Sequence, residues 1–193
     1  MARPRTIDDE AVLAAAADVV NRVGPAKLTL QRVADEVGLS APTLVQRFGS
    51  KRGLLLAMGE QASGRWAEVF DAARGRTDSA LDALVAALVD LTAHVSTPDA
   101  MANSVAFLHM DLSDPAFHER AVGGLEQMRD LIAALLDEAV EAGELPRSTD
   151  THALATSVLN TYNGALISWA IFRDGELTDW LRRELDRVLR VDP

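Results

Sequence analysis

Cysteine is absent from all 193 residues, which removes disulfides and thiolate metal sites from consideration. Aromatic residues are scarce at 5%, and β-branched residues are few beside alanine and leucine, a balance that favours helix over strand. No long apolar run occurs: the longest, such as Leu54 to Met58, falls far short of a membrane span. The opening residues Met1-Ala2-Arg3-Pro4-Arg5 lead into Asp8, Asp9 and Glu10 with no apolar signal core, so a soluble, cytoplasmic protein in a reducing compartment is expected.

Signatures of catalysis are also missing. None of His94, His109, His118 and His152 pairs with another at i, i+4, and none has Glu three residues before it, so no helical zinc or di-iron motif is supported. There is no Gly-x-Ser-x-Gly, and Gly49-Ser50-Lys51 lacks the glycine spacing of a phosphate loop. The chain is expected to be neither an enzyme nor a metal or cofactor protein.

What is present is a polarised charge. The net charge of −10 argues at first against nucleic acid, but residues 1–53 carry eight Lys/Arg against six Asp/Glu, and the remainder eleven against twenty-three. DNA affinity depends on the local field at the contact face, so one end tolerates phosphate and the other repels it. A domain over 1–53 and a larger one over 54–193 are expected.

Every periodic segment is helical, giving an all-α protein of about nine helices. Thr6 is the expected cap of a helix from about Asp8 to Val23, stopped by Gly24-Pro25. Short helices follow from about Leu30 to Val37 and from Ser40 to about Phe48, with Thr29 and Ser40 as caps and Gly38 between them. A longer helix runs from Ser50 to near Gly75. Others are expected over Ser79–Val95, Asp99–Asp111, Ala116–Ala142, Asp150–Phe172 and Thr178–Leu189.

The strongest motif is Leu28 to Phe48, LTLQRVADEVGLSAPTLVQRF. Two short helices meeting steeply need a small residue at the crossing (Ala34), a residue tolerant of positive φ at the turn (Gly38), and apolar residues facing inward (Val33, Val37, Leu39, Leu44, Phe48). The remaining face, Ser40, Ala41, Pro42, Thr43, Gln46 and Arg47, is small, polar and basic, as entry into a major groove requires. This spacing matches the general helix-turn-helix pattern.

The segment from about Ile7 to Met58 resembles the DNA-binding domain of TetR-family regulators. The matching residues are Leu28-Thr29, Val33-Ala34, Gly38-Leu39-Ser40, Thr43-Leu44, Phe48, Ser50-Lys51 and Leu54-Leu55. The chain departs from that family at Val45, where an aromatic is usual, and at Arg47, where Tyr or His is frequent. The resemblance implies phosphate contacts by Thr29 and Lys51, and base or backbone contacts by Ala41, Pro42, Thr43, Gln46 and Arg47, with Gln46 suited to adenine and Arg47 to guanine or to phosphate. Arg3 and Arg5 are candidates for a basic arm.

The resemblance further implies that residues from about 60 onward form a ligand-binding and dimerisation bundle, the last two helices pairing with those of a second copy. The Asp150–Phe172 helix supports this, being apolar nearly all round with Gly164 and Ala165 at mid-length. A pocket needs apolar walls with a few polar anchors. The candidates are Trp66, Phe70, His94, Met101, Phe107, Met110, Met128, Tyr162 and Trp169, and Asn103, Asn160 and Asn163 are the better clues, because buried amides need partners. The expected protein is a ligand-responsive homodimeric repressor of a palindromic double-stranded DNA operator, its effector an unknown small molecule. The alternative is an architectural or division-linked DNA-binding protein without a sensor.

Overall fold

The computed structural model describes residues 7–93, 95 and 97–190, and the elements among them are helices. They are α1 (Asp9–Val23), α2 (Leu30–Val37), α3 (Ala41–Phe48), α4 (Lys51–Gly64), α5 (Trp66–Arg74), α6 (Ala80–Asp90), α7 (Pro98–Ser113), α8 (Pro115–Ala142), α9 (Thr151–Phe172) and α10 (Leu177–Leu189). The helix expected from Ser50 to Gly75 is interrupted at Arg65; counted as one broken helix it gives nine, as two elements ten. No helix among the described residues is long and apolar enough to cross a membrane.

Local chemistry explains most boundaries. Asp8 rather than Thr6 caps α1, its carboxylate accepting from the Ala11 amide at 2.9 Å; Thr6 lies outside the described residues, as do Arg3 and Arg5. Thr29, Ser40, Ser79 and Asp150 cap α2, α3, α6 and α9 in the same way. Thr97-Pro98 and Asp114-Pro115 place proline in the first turn of α7 and α8. The α6 helix stops at Asp90, short of the expected Val95, and the Thr92 hydroxyl donates back to the Val89 carbonyl at 2.7 Å where the chain turns.

The chain forms two compact units, Met1–Gly64 with Asn103–Arg120, and Arg65–Ala102 with Ala121–Pro193. Charge alone divides the chain near residue 53, whereas the compact units interleave, α7 and α8 each contributing residues to both. The core of the first unit gathers Val12, Leu13, Ala16, Val19 and Val20 of α1, Leu28, Val33 and Ala34, Leu44 of α3, Leu54 and Leu55 of α4, and Phe117. In the second unit Phe70, Leu84, Leu88, Met128, Ile132, Leu136, Val158, Tyr162, Trp169, Leu181 and Leu185 form the core with smaller neighbours.

Candidate nucleic-acid interface

The α2–turn–α3 segment is built from the turn outward. Gly38 closes α2 at φ 69°, ψ 30°, and the following Leu39 amide returns to the Ala34 carbonyl at 2.9 Å. A Cβ on Gly38 would meet nothing within 4 Å, so the sign of φ, and not space, demands glycine there. Ala34 is fully buried at the crossing, and Leu44 anchors α3 from beneath with no exposure. On the opposite side of α3, Pro42 and Gln46 are exposed, Ala41 and Thr43 are half-buried, and Val45 is 48% exposed. Val45 therefore offers an apolar contact at the surface in place of an aromatic ring.

The hydrogen bonds around this face sort the expected contact residues into two sets. Ser40 Oγ and Thr43 Oγ1 lie 2.8 Å apart at the α3 N-terminus, where the Thr43 and Leu44 amides donate to Ser40. Thr29 Oγ1 accepts from the Arg32 amide at 3.2 Å and is exposed. Gln46 is exposed, with no side-chain hydrogen bond among the described residues. The two cations behave differently. Lys51 Nζ donates to the Ala26 carbonyl at 2.9 Å, and Arg47 Nη1 donates to the Ile7 carbonyl at 2.7 Å and stands 3.3 Å from Asp9 Oδ1.

Sequence reasoning passed over two further basic residues at this end of the unit. Lys27 is exposed and immediately precedes Leu28-Thr29. Arg32 is exposed on α2 with Nη1 on the Lys27 carbonyl at 3.0 Å. Position just before a helix N-terminus was the available signal for Lys27.

Of the expected ligand-binding residues, the structure brings Trp66, Phe70, Met101, Met128 and Tyr162 to one core, in the second unit. Phe107 and Met110 instead pack against the core of the first unit, and Asn163 is exposed on α9. Asn160 is exposed as well, while Asn103 Nδ2 donates to the Asn21 carbonyl at 2.9 Å within the first unit. Trp169 is buried with its Nε1 on the Gly175 carbonyl at 3.0 Å, and His94 lies outside the described residues. Tyr162 is 8% exposed, and burial pushes its phenol pKa well up. Among the described residues no group of three or more His, Asp or Glu side chains is placed to hold a metal ion.

The outward side of α9 carries a second exposed surface. Asn160, Gly164, Ile167 and Ile171 follow one another at helical spacing, all exposed, while Leu159, Tyr162, Leu166 and Trp169 face the core. Ile171 and Phe172 are 72% and 70% exposed, and the Phe172 ring lies 5.9 Å from that of Trp180 on α10. An open groove here is lined by Thr161, Gly164, Ser168, Phe172, Trp180 and Glu184.

Comparison with known proteins covers both units. Residues 12–58 match the family described as bacterial regulatory proteins, tetR family, and residues 79–185 match the tetracyclin repressor-like C-terminal domain. The HTH-type transcriptional repressor AcnR of Corynebacterium diphtheriae is 30% identical over 162 residues, spanning 83% of this chain and 78% of the relative. Among solved structures, a TetR transcription regulator from Haloarcula marismortui superposes with a TM-score of 0.79 at 21% identity, covering 94% of this chain and 95% of the other. The regulator FadR from Bacillus subtilis, solved in complex with stearoyl-CoA, gives a TM-score of 0.74 at 15% identity, with 93% and 96% covered.

Proposed function

The chain belongs to the tetR family of bacterial regulatory proteins, and from that premise we propose a division of labour in which the first unit binds a palindromic operator and the second dimerises and binds a small effector. The protein is a ligand-responsive DNA-binding repressor. The observation that carries the DNA-binding half is the capped α2–turn–α3 element, whose buried Leu44 and left-handed Gly38 hold Pro42, Thr43 and Gln46 outward. Thr29, Ser40, Ala41 and Lys27 supply or border phosphate contacts, and Gln46 reads a base edge, adenine being the geometric match. A regulator of the chromosome works in the bacterial cytoplasm.

The effector half rests on Tyr162 among Trp66, Phe70, Met101 and Met128: an apolar core that includes one phenol suits a largely apolar ligand carrying one hydrogen-bonding group. The FadR complex with stearoyl-CoA shows that a protein of this fold accommodates a ligand with a long apolar portion. The dimer half rests on the exposed Gly164–Ile167–Ile171 stripe with Phe172 and Trp180, so α9 and α10 are the pairing helices. An effector favouring a different spacing of the two recognition helices releases DNA by population shift, for which a coupling of about 1–3 kcal/mol is typical.

The experiment is selection of bound sequences from random duplex DNA, followed by titration of the winner at fixed salt. A palindromic winner with half-sites about one helical turn apart, bound by a dimer far more tightly than scrambled DNA, is expected. Failure to enrich any palindrome, with dimeric and folded protein, overturns the operator reading.

A further inference from the structure

Val45 is an apolar residue left in the open at the middle of the recognition helix: it is 48% exposed, while its neighbour Leu44 is fully buried. Ala41 and Pro42 precede it by four and three residues, so the three share one side of α3 and form a small apolar patch there. Gln46, also exposed, borders that patch. A single exposed valine is ordinary on a protein surface. At the centre of a reading face it decides what can be read.

The polar groups around it are committed elsewhere. Ser40 Oγ and Thr43 Oγ1 bond to each other at 2.8 Å, and the Thr43 amide returns to Ser40. Arg47 has 24% of its side chain exposed; its Nη1 donates to the Ile7 carbonyl at 2.7 Å and lies 3.3 Å from Asp9 Oδ1. Reading guanine takes two guanidinium donors presented together to O6 and N7, and one terminal nitrogen here is already engaged by main chain. Gln46 and the apolar patch remain to meet base edges. Valine has no donor for a phosphate oxygen or a base acceptor. The apolar group that base edges present in the major groove is the C5 methyl of thymine. Valine is also stiff at χ1 in a helix, so its two methyl groups are held in place at little further cost in entropy.

Resting on the operator reading above, we propose that Val45 is a specificity-determining residue that packs on the C5 methyl group of a thymine in each half-site, beside the base pair read by Gln46. The two residues divide the work. Gln46 fixes its base by hydrogen bonds, and Val45 selects thymine next to it by removing apolar surface from water. Cytosine at the same position is rejected, because it lacks the methyl group and its amino donor would be covered by a side chain that cannot accept a hydrogen bond.

The test uses the full-length dimer. Selection of a palindrome by the wild-type protein comes first and by itself decides the operator reading. Uracil then replaces thymine at one symmetric pair of positions at a time, which removes the methyl groups and leaves base pairing unchanged. One thymine per half-site, neighbouring the base pair at which Gln46→Ala shifts preference, is expected to respond. Affinity should fall there by about 4-fold per half-site, as the loss of one buried methyl group implies. Val45→Ala is expected to show a similar loss on the thymine operator and no further loss on the uracil one, whereas Gln46→Ala keeps the uracil penalty. Position 45 is exposed and alanine is the better helix former, so the variant is expected to stay folded, which circular dichroism checks. A selected half-site with no thymine beside the Gln46 base pair, a scan in which no uracil matters, or a uracil penalty undiminished in Val45→Ala overturns the proposal. The operator reading survives each of these results.

Discussion

Arg52 and Asp114, sixty-two residues apart, meet as a two-point pair, Nε to Oδ2 at 2.9 Å and Nη2 to Oδ1 at 2.5 Å. Asp114 also accepts the amides of Ala116 and Phe117 at the start of α8, and the Arg52 guanidinium lies 5.7 Å from the centre of the Phe117 ring. The hydrogen bond from Arg52, helped by those amides, holds the Asp114 carboxyl at about 2, well below its ordinary 3.8. A depressed folded pKa means that the contribution is complete above the ordinary carboxylate value and is lost as pH falls from there towards the folded value. Asp114→Asn keeps a capping oxygen and loses the charged pair. It is expected to lower the melting temperature by a few degrees near neutral pH, the gap to wild type narrowing from about pH 4 to pH 2 and shrinking with added salt. Thermal unfolding across pH and salt checks this; a gap independent of both removes the ion pair as its cause.

Gly53 is required by space. A Cβ there would stand 2.0 Å from the Phe48 carbonyl oxygen, a backbone atom that moves only if the α3–α4 corner moves with it. Gly53→Ala is therefore expected to destabilise the first unit by about 2 kcal/mol or more, despite alanine's better helix propensity. Denaturant unfolding of this variant beside Gly38→Ala separates the two glycine requirements, since Gly38 has open space and only its positive φ to lose. A stable Gly53→Ala protein with unchanged operator affinity would contradict the geometry.

Glu144 adds to the Ser79 cap of α6, a helix far from it in sequence. Its carboxylate accepts from Ser79 Oγ at 2.6 Å and from the Ala80 and Leu81 amides at 2.7 and 3.2 Å, closing the N-terminus of α6. Burial pushes its pKa up, but the Ser79 hydroxyl, the two amides and the nearby Arg74 together outweigh it and leave it lowered. Its stabilising effect is thus present above the ordinary glutamate pKa and is lost as pH falls through the lowered value. Glu144→Ala should cost about 1 kcal/mol, and Glu144→Gln less, both differences fading in acid. Chemical denaturation at two pH values is the measurement.

For the proposed dimer, Ile171→Asp with Phe172→Asp places two charges on the most exposed apolar part of α9. Neither residue belongs to the buried core, so the helical signal and monomer fold are expected to persist while sedimentation shifts from dimer to monomer and operator affinity falls more than tenfold. A variant that sediments as a dimer at the same concentration would move the interface elsewhere.

The legible features of this chain were local. Thr29 and Ser40 act within three residues of their own positions, and Gly38 within its own backbone, so their roles could be read in a line of sequence. Leu44 followed from spacing alone. The unread features are long-range. Nothing near Arg47 announces Ile7, and nothing near Lys51 announces Ala26, so both cations looked free for DNA. Periodicity says that Phe107 and Met110 face inward but not which core they enter, and they enter the first unit's. Asn163 looked like a buried amide because its helix is apolar on most sides, yet its face carries the exposed stripe. The break at Arg65 had only the preceding glycine as a clue, and glycine alone is weak evidence inside a helical pattern.

The contact between Gly53 and Phe48 also bears on how this gene can change. Every single-nucleotide missense replacement of a glycine codon introduces a side chain with a Cβ, so no one-step route leads from position 53 to a tolerated residue while the carbonyl stays where it is. Operator preference can drift through exposed Pro42, Val45 and Gln46, whose replacement disturbs little beneath them. The corner that aims them is shut to drift, so divergence among descendants of this regulator should rewrite what is read far sooner than how the reading helix is presented.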